Sequence, residues 1–385
     1  MIRDVGDRPT VVHIIFRFDY GGLENGVVNI LRGLVDDDVQ HIVVALTEAT
    51  AFADRLPEGI ALHSIGKRPG KDPAAYFRLF RLLRRLKPSV VHTRNMGTID
   101  CALIAFLARV PVRIHGEHGW DIFDPDGTNP KYRRVRRVLA PLIHKFVTVS
   151  DDLGDWLIDT VGIRSSKVQR LRNGVDVRRF HPVSEDRCDR LPAAIGKPGN
   201  VVVGSVTRFS AIKDPLNLVR AFSRLATAQA APGGSAVLVM IGAGELHADA
   251  VAAVEATGVA ELSWLPGARD DVPELMRAMD VFVLGSLKEG ISNTILEAMA
   301  SGLPVVACET GGNHELVADG VNGCLVPPGD SEALASAIGR YVDDASLRRE
   351  HGNASRDRAE NEFSIDAMIE RYRNLYNWAI ARALK

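Results

Sequence analysis

A chain of 385 residues is long enough for two domains, and its 46 % hydrophobic and 25 % charged content is ordinary for a soluble globular protein. Its four cysteines, Cys101, Cys188, Cys308 and Cys324, show no CxxC spacing, which argues against a zinc site and a disulfide framework and fits a reducing compartment. The net charge of −1 hides an asymmetry: residues 1–182 hold 28 Lys and Arg against 21 Asp and Glu, a net +7, and residues 183–385 hold 19 against 27, a net −8. The first half is the one suited to meet something anionic. No apolar run approaches the roughly 20 residues of a spanning helix. The opening MIRDVGDRPTVVHIIF carries acids where a signal peptide has basic residues. A cytoplasmic location is expected.

In chain order, apolar runs of strand length alternate with helical patterns. VVHIIF (11–16), HIVVAL (41–46), SVVHT (89–93), VPVRIHG (110–116) and KFVTVS (145–150) read as buried strands, with LENGVVNILRGLV and AAYFRLFRLLRRLK as helices between them. The alternation restarts with VVVGSV (201–206), AVLVMIG (236–242), AELSWLPG (260–267), VFVLGS (281–286), PVVAC (304–308) and NGCLVPP (322–328). Strand–helix–strand alternation predicts a parallel sheet covered on both faces. The expected fold is therefore α/β, with two Rossmann-like domains whose parallel sheets face each other across a cleft. The domains span 1–182 and 201–360, joined by a Pro- and Gly-rich linker at 183–200. A closing helix at 361–385 is expected to pack back on the first domain. Ligands of such sheets bind beyond the carboxyl ends of the strands.

The motifs follow those strand ends. FDYGGLEN (18–25) places Gly21 and Gly22 where backbone amides can approach a phosphate or sugar, with Glu24 as a helix cap. IHGEHGWD (114–121) carries His115, Glu117 and His118, whose spacing is not that of a helical zinc motif. RNGVDVRRFHP (172–182) opens on a turn at Asn173 and Gly174 that suits a hinge or a substrate contact. TRFSAIKDP (207–215) offers Arg208 and Lys213, two cations able to stabilise the charge of a departing diphosphate. IGAGE (241–245) is half of a dinucleotide fingerprint, too little to imply NAD, and RDD (269–271) reads as a helix cap.

The densest signal is EGISNTILEAMASG (289–302). Glu289 follows a buried strand, and Gly290 admits a ligand close to the backbone. Ser292 or Asn293 can cap the next helix, whose amides suit a diphosphate. Glu297 comes eight positions after Glu289, roughly 80° away on a helical wheel, so both acids can flank one ligand. A carboxylate can accept two hydroxyl hydrogen bonds at once, as a ribose diol offers.

EGISNTILEAMASGLPVVACETGGNHELV resembles the E-x7-E signature of glycosyltransferase family 4, retaining enzymes with the two-domain GT-B fold. The resemblance extends to YGGLENGVVNIL, HTRN, HGEHGWDIFD, VSDDL, TRFSAIKDP and NGCLVPPGD. The wording of HTRN and IHGEHG is most similar to sugar transferases associated with exopolysaccharide and PEP-CTERM/exosortase loci. The resemblance implies transfer from a nucleotide diphosphate sugar to a carbohydrate hydroxyl, with the sugar nucleotide as co-substrate and no cofactor or metal. It implies catalytic roles for His118, Glu289, Arg208 and Lys213, with His115 as the alternative histidine. It implies donor contacts from Gly21, Gly22, Arg208, Lys213, Arg269, Glu289, Gly290, Ile291, Ser292 and Glu297. Glu297 would hold the ribose, Glu289 would contact the donor sugar, and Trp120 and Asp121 would face the acceptor. The GGNHE loop (311–315) resembles one near the donor phosphates or sugar. For WLPGARDD (264–271), which lies at a strand end, the resemblance implies a base pocket bordered by backbone atoms around Leu265 to Arg269.

The basic, apolar helices at 76–88 and 131–145 suit either an anionic membrane surface or a solvated helix packed on its sheet. Membrane contact at the inner face would fit a polyprenyl-linked acceptor. No nucleic-acid partner is expected. Competing readings are a sugar or sugar-phosphate synthase with a soluble acceptor, a GT-B nucleotide-sugar epimerase and a non-catalytic scaffold.

Overall fold

The computed structural model describes residues 8–121, 124, 126–182, 190–228 and 236–385. The chain forms two compact units, Met1–Asn173 with Ile365–Lys385, and Gly174–Ser364. Of the linker expected at 183–200, residues 183–189, with Cys188, lie outside the described residues.

In the first unit the strands are β1 (Thr10–Ile15), β2 (Gln40–Ala45), β3 (Ala61–Ser64), β4 (Val90–Arg94), β5 (Val112–Glu117), β6 (Lys145–Thr148) and β7 (Val168–Arg170). They form one parallel sheet in the order β3-β2-β1-β4-β5-β6-β7. β1 and β4 are buried along their whole length, as both-face coverage requires. Alternate residues serve opposite layers. Val12, Ile14 and Val91 pack with helices Pro73–Leu86 and Cys101–Leu107. Val11, Val90, Val112 and Ile114 meet the helix Ile365–Ala383 through Met368, Tyr372, Leu375 and Tyr376. The closing helix thus completes the core of the first unit. β3 and β7 have no counterpart among the expected strands. Both are edge strands without a fully buried residue, so they carry no apolar run to read.

In the second unit β8 (Val201–Val206), β9 (Ala236–Ile241), β10 (Ser263–Gly267), β11 (Val281–Leu284), β12 (Val305–Cys308) and β13 (Gly323–Val326) form a parallel sheet. Its order is β10-β9-β8-β11-β12-β13. One face packs Val203, Leu238, Met240, Val283 and Val306 on helices Pro215–Ala228 and Ser331–Asp343. Helix Asn293–Ala300 packs against helix Ala345–Glu362.

Each sheet reverses its strand order once, at β1 between β2 and β4, and at β8 between β9 and β11. Loops leave in opposite directions at such a point, and the crevice between them is where doubly wound sheets take ligands. The motif-bearing loops leave these strands.

Leu375 of the closing helix is 2 % exposed. Leu375→Ala is expected to cost about 2–4 kcal/mol, read as a lowered denaturant midpoint of unfolding. A loss under about 0.5 kcal/mol, the size of an ordinary surface substitution, would mean the helix is not part of the core.

Candidate functional site

Three loops of the second unit converge beyond β8, β11 and β12. The loop after β8 holds Arg208 and ends in a single 3-10 turn, Ala211–Lys213. Lys213 Nζ meets Glu289 Oε1 at 2.5 Å. Leu287 N donates to Ile212 O at 2.9 Å, and Thr310 Oγ1 donates to Leu287 O at 3.0 Å. The loop after β12 is pressed onto Glu289. A Cβ on Gly311, at φ +52°, would lie 1.8 Å from Glu289 O, so only glycine fits there. Gly312 N donates to Gly290 O at 3.0 Å. Gly290 is partly exposed and Ile291 nearly buried beside it.

The helix Asn293–Ala300 then starts under a Ser292 cap, whose Oγ accepts from Ile295 N at 3.3 Å. Of the two expected caps, Ser292 makes this bond. Because the helix begins at Asn293, Glu289 lies in the loop before it. The helical-wheel argument for the two acids therefore does not hold. Glu289 is placed by the Lys213 ion pair and the Gly311 contact.

The two acids differ in electrostatics. Glu289 is buried and paired. Glu297 is partly exposed and its carboxylate has no hydrogen bond among the described residues. Burial pushes its pKa up to about 7, opposed by the charge of Arg179. The cations also differ. Lys213 is balanced by Glu289, so it is not the free cation expected from the spacing. Arg208 is exposed and without an ion-pair partner among the described residues. Arg208 stands five residues before Lys213 in the same loop, Lys213 keeps N–H groups to spare beside Glu289, and the capped helix that follows Glu289 opens on first-turn amides of the kind that suit an anion.

Arg269 is exposed and held bidentate by Asp271, both bonds 2.8 Å. This corrects the reading of RDD as a cap: Asp271 precedes the helix Val272–Arg277 but makes no capping bond, because Arg269 occupies both of its oxygens. The IGAGE glycines serve the β8 loop. A Cβ on Gly242, at φ +141°, would lie 1.8 Å from Thr207 O, and Phe209 N donates to Ala243 O at 3.0 Å.

In the first unit Gly21 precedes the helix Gly22–Leu34 with extended backbone and no side-chain cap, and Gly22 is the first helical residue. The Glu24 carboxylate lies over Gly21 in that first turn. Beyond β5, His118 N donates to Asn95 Oδ1 at 2.7 Å. Its Nε2 is buried without a hydrogen-bond partner. Burial, reinforced by the Arg94 charge, lowers its pKa to about 3, so His118 is neutral at physiological pH.

His115 is completely buried, with Nδ1 at 2.8 Å from Thr93 Oγ1 and Nε2 at 3.2 Å from Glu117 Oε1. Both ring nitrogens are engaged, whereas the His118 ring makes no hydrogen bond among the described residues. Glu117 is also gripped by Arg136, at 2.6 and 3.0 Å. Burial alone would raise its pKa, but Arg136 and His115 hold it far below the carboxylate range. With His115 and Glu117 taken up in this way, His-x-Glu-His is not assembled as a metal site. Among the described residues no group of three or more His, Cys, Asp or Glu side chains could hold a metal ion. Arg136 lies over the Trp156 ring, and Trp156 packs edge-on to Trp120, so Trp120 holds the loop after β5 in place. Sequence periodicity gave no sign of the Arg136–Glu117 pair, which joins residues 19 apart.

Both units carry parallel sheets with charged, glycine-containing loops at the carboxyl edge, the arrangement of a GT-B glycosyltransferase. A model for "Glycosyltransferase Family 4" matches residues 20–179, and one for "Glycosyl transferases group 1" matches residues 200–344. The chain belongs to this family of glycosyltransferases. It is 29 % identical over 311 residues to the UDP-Gal:alpha-D-GlcNAc-diphosphoundecaprenol alpha-1,3-galactosyltransferase of Escherichia coli, covering 80 % of this chain and 79 % of that one. It is 24 % identical to the capsular polysaccharide biosynthesis glycosyltransferase CapM of Staphylococcus aureus, covering 89 % and 86 %. Among solved structures, HepE of Anabaena in complex with UDP-glucose matches with a TM-score of 0.80 at 23 % identity, covering 96 % of this chain and 99 % of that one. That likeness shows the fold.

The raised Glu297 pKa has a consequence for stability. The folded chain holds this proton more tightly than the unfolded chain, whose value is near 4.5. The cost of ionising Glu297 therefore appears as pH rises from 4.5 to about 7 and is fully present above that. Glu297→Gln removes it. The variant is expected to be more stable than wild type at pH 8, by about 1–3 kcal/mol. The gap should close near pH 4, a value below both pKa values. Denaturant midpoints at the two pH values check this, and a pH-independent gap would refute it.

Proposed function

We propose that this protein moves a sugar from a nucleoside diphosphate sugar to a carbohydrate hydroxyl, with retention of anomeric configuration and without a metal. The observation that carries this reading is the convergence of Arg208, the Lys213–Glu289 pair and the Glu297-bearing helix at the strand-order reversal of the second sheet. Glu297, once ionised, accepts the two ribose hydroxyls. Arg208, Lys213 and the first-turn amides of the capped helix take the diphosphate, and their fixed charge stabilises it as it departs. Glu289, with Gly290 and Ile291, contacts the donor sugar. In the first unit, neutral His118 bonds a sugar hydroxyl, and Gly21 and Gly22 present amides to the donor. The backbone from Leu265 to Arg269 borders the base. The acceptor hydroxyl attacks on the face the diphosphate leaves, and the leaving phosphate oxygen takes its proton, so no enzyme nucleophile is required.

A lipid-linked acceptor in exopolysaccharide assembly is the pathway this reading favours. Its support is the undecaprenol-linked acceptor in the name of the Escherichia coli relative and the capsular role in that of the Staphylococcus aureus relative. No described helix is long and apolar enough to cross a membrane, so membrane contact would be peripheral.

Helix Pro73–Leu86 packs beside Cys101–Leu107, and together they expose Phe77, Leu103, Phe106 and Leu107. Beside them a groove of about 310 Å³ is lined by Arg78, Arg81, Leu82 and Arg85. Arg81 and Arg85 have no partner among the described residues. Free cations next to apolar side chains suit an anionic bilayer surface. The second basic stretch, 131–145, suits it less. Arg136 is buried on Glu117, Arg137 donates to Val161 O and Lys145 to Ser166 O.

Two experiments test this. Donor binding and hydrolysis are measured across UDP-, GDP-, ADP- and TDP-sugars in EDTA. One donor is expected to stand out, and Glu297→Ala to lower its turnover by about 100-fold, the scale of losing charge-assisted contacts. A folded chain that binds no donor would return the reading to a scaffold. Flotation with phosphatidylglycerol vesicles checks the surface: the double variant R81E/R85E is expected to lose at least about 30-fold in vesicle affinity at roughly 1 kcal/mol per arginine removed, with donor hydrolysis unchanged. Equal flotation of both proteins would remove the membrane part.

A further inference from the structure

Beneath His118 the first unit buries a cation that has no counter-charge. Arg94, the last residue of β4, is 1 % exposed. Among the described residues no carboxylate lies within ion-pair reach of it. Its guanidinium bonds only to neutral acceptors: His13 Nδ1 at 3.0 Å, and His92 Nδ1, His92 O and Tyr376 Oη at 3.4 Å. Removing a charge from water without a partner costs several kcal/mol. Filling this space with an apolar side chain would avoid that cost.

A guanidinium can only donate, so it dictates where its neighbours carry their protons. His13 must present a bare Nδ1 to Arg94. Its proton then sits on Nε2, which lies 2.9 Å from His41 Nδ1. His92 Nδ1 receives Arg94 and also lies 3.0 Å from Tyr376 Oη, whose hydroxyl can donate to it. The His92 proton is therefore on Nε2. That nitrogen is buried, unpartnered and turned toward Gly116 of β5. A Cβ on Gly116 would lie 3.1 Å from His92 Nε2 and 2.6 Å from His118 Nε2. The two ring nitrogens thus face one small space without bonding each other. An N–H already on His92 disfavours a second N–H there, so the favoured His118 tautomer has Nε2 bare and its proton on Nδ1.

We propose that Arg94 is a positioning residue of the transferase site, acting through His92 and Tyr376 to place the His118 proton on Nδ1, directed to a sugar hydroxyl. The inference rests on the donor-contact role of His118 given above and deepens it. It also ties the closing helix to the chemistry, because Tyr376 commits the His92 ring. The charged and titratable groups around His118 act in concert. Arg94 and His92 of β4 and His115 of β5 disfavour its protonation, while Glu117 of β5, itself held by Arg136, favours it. Tyr372 and Tyr376 of the closing helix stand against His92. Without Arg94 the balance moves toward the imidazolium, which cannot offer the same neutral donor.

The test begins with the full wild-type chain, labelled with 15N-histidine, whose ring tautomers are read by long-range proton–nitrogen NMR. His118→Gln and His92→Gln assign the two signals. Nδ1–H on His118 and Nε2–H on His92 are expected, and Nε2–H on His118 would overturn the proposal without any variant of Arg94. Arg94→Met is then compared with Arg94→Lys in donor hydrolysis between pH 5 and 8. For Arg94→Met, kcat at pH 5 is expected to fall at least about tenfold, the scale of a lost acid–base state, with donor KM within about threefold. Its His118 signal should titrate at higher pH than in wild type. Arg94→Lys should recover most of the loss at pH 5. Loss of kcat equal at every pH, with the His118 titration unmoved, would make Arg94 a packing residue only. Where Arg94→Met does not fold, His92→Phe removes the N–H that faces His118 and keeps the guanidinium. The His118 ring should then populate both tautomers, and an unchanged His118 signal refutes the relay. If wild type turns over no donor, the transferase reading fails, while the tautomers still decide the network.

Discussion

Every strand in each sheet runs the same way, so all the carboxyl ends of a sheet lie along one edge. A parallel sheet must also be covered on both faces, which places helices between the strands and gathers every loop that leaves a strand along that edge. In the second unit the reversal at β8 parts the loops after β8 and β11, and the loop after β12 closes on them through Gly311. The position of Arg208, Lys213, Glu289 and Glu297 follows from that geometry.

What the site can do follows from how its charges are matched. Lys213 and Glu289 neutralise each other, so the pair fixes the loop after β8 against Glu289 and leaves Lys213 N–H groups to spare. Glu297 is left without a partner, and burial makes ionisation costly. Under the proposed function, the two hydroxyl donors of a ribose would offset that cost. In the first unit Glu117 and Arg136 are fully matched and hold the loop after β5, while Arg94 is left unmatched beneath His118. Matched pairs build the frame, and the unmatched groups are where chemistry is set.

Much of this was legible in the residues. Eleven of the thirteen described strands carry apolar runs, most of them because a strand buried on both faces has no polar side to show. β3 and β7 escaped because ALHS and VQR are short and mix polar with apolar residues, whereas the edge strand β10, equally without a buried residue, shows WLP. The E-x7-E stretch and the loops after β1, β5 and β8 could be recognised as motifs. The helical wheel was the wrong ruler for Glu289, since the helix starts four residues later, at Asn293. Asp271 looked like a cap because acids before a helix usually are, and Arg269, two residues away, took its oxygens.

The sequence by itself determined the two parallel sheets, the family and the residue types at each strand end, because these depend on local periodicity and short spacings. Only the tertiary structure decided which charge meets which. Lys213 lies 76 residues from Glu289, and Arg94 lies 282 residues from Tyr376. Such pairs form because strand order and the closing helix bring distant segments together. An ion pair or a ring tautomer depends on a few ångströms of separation, and chain spacing does not encode that distance.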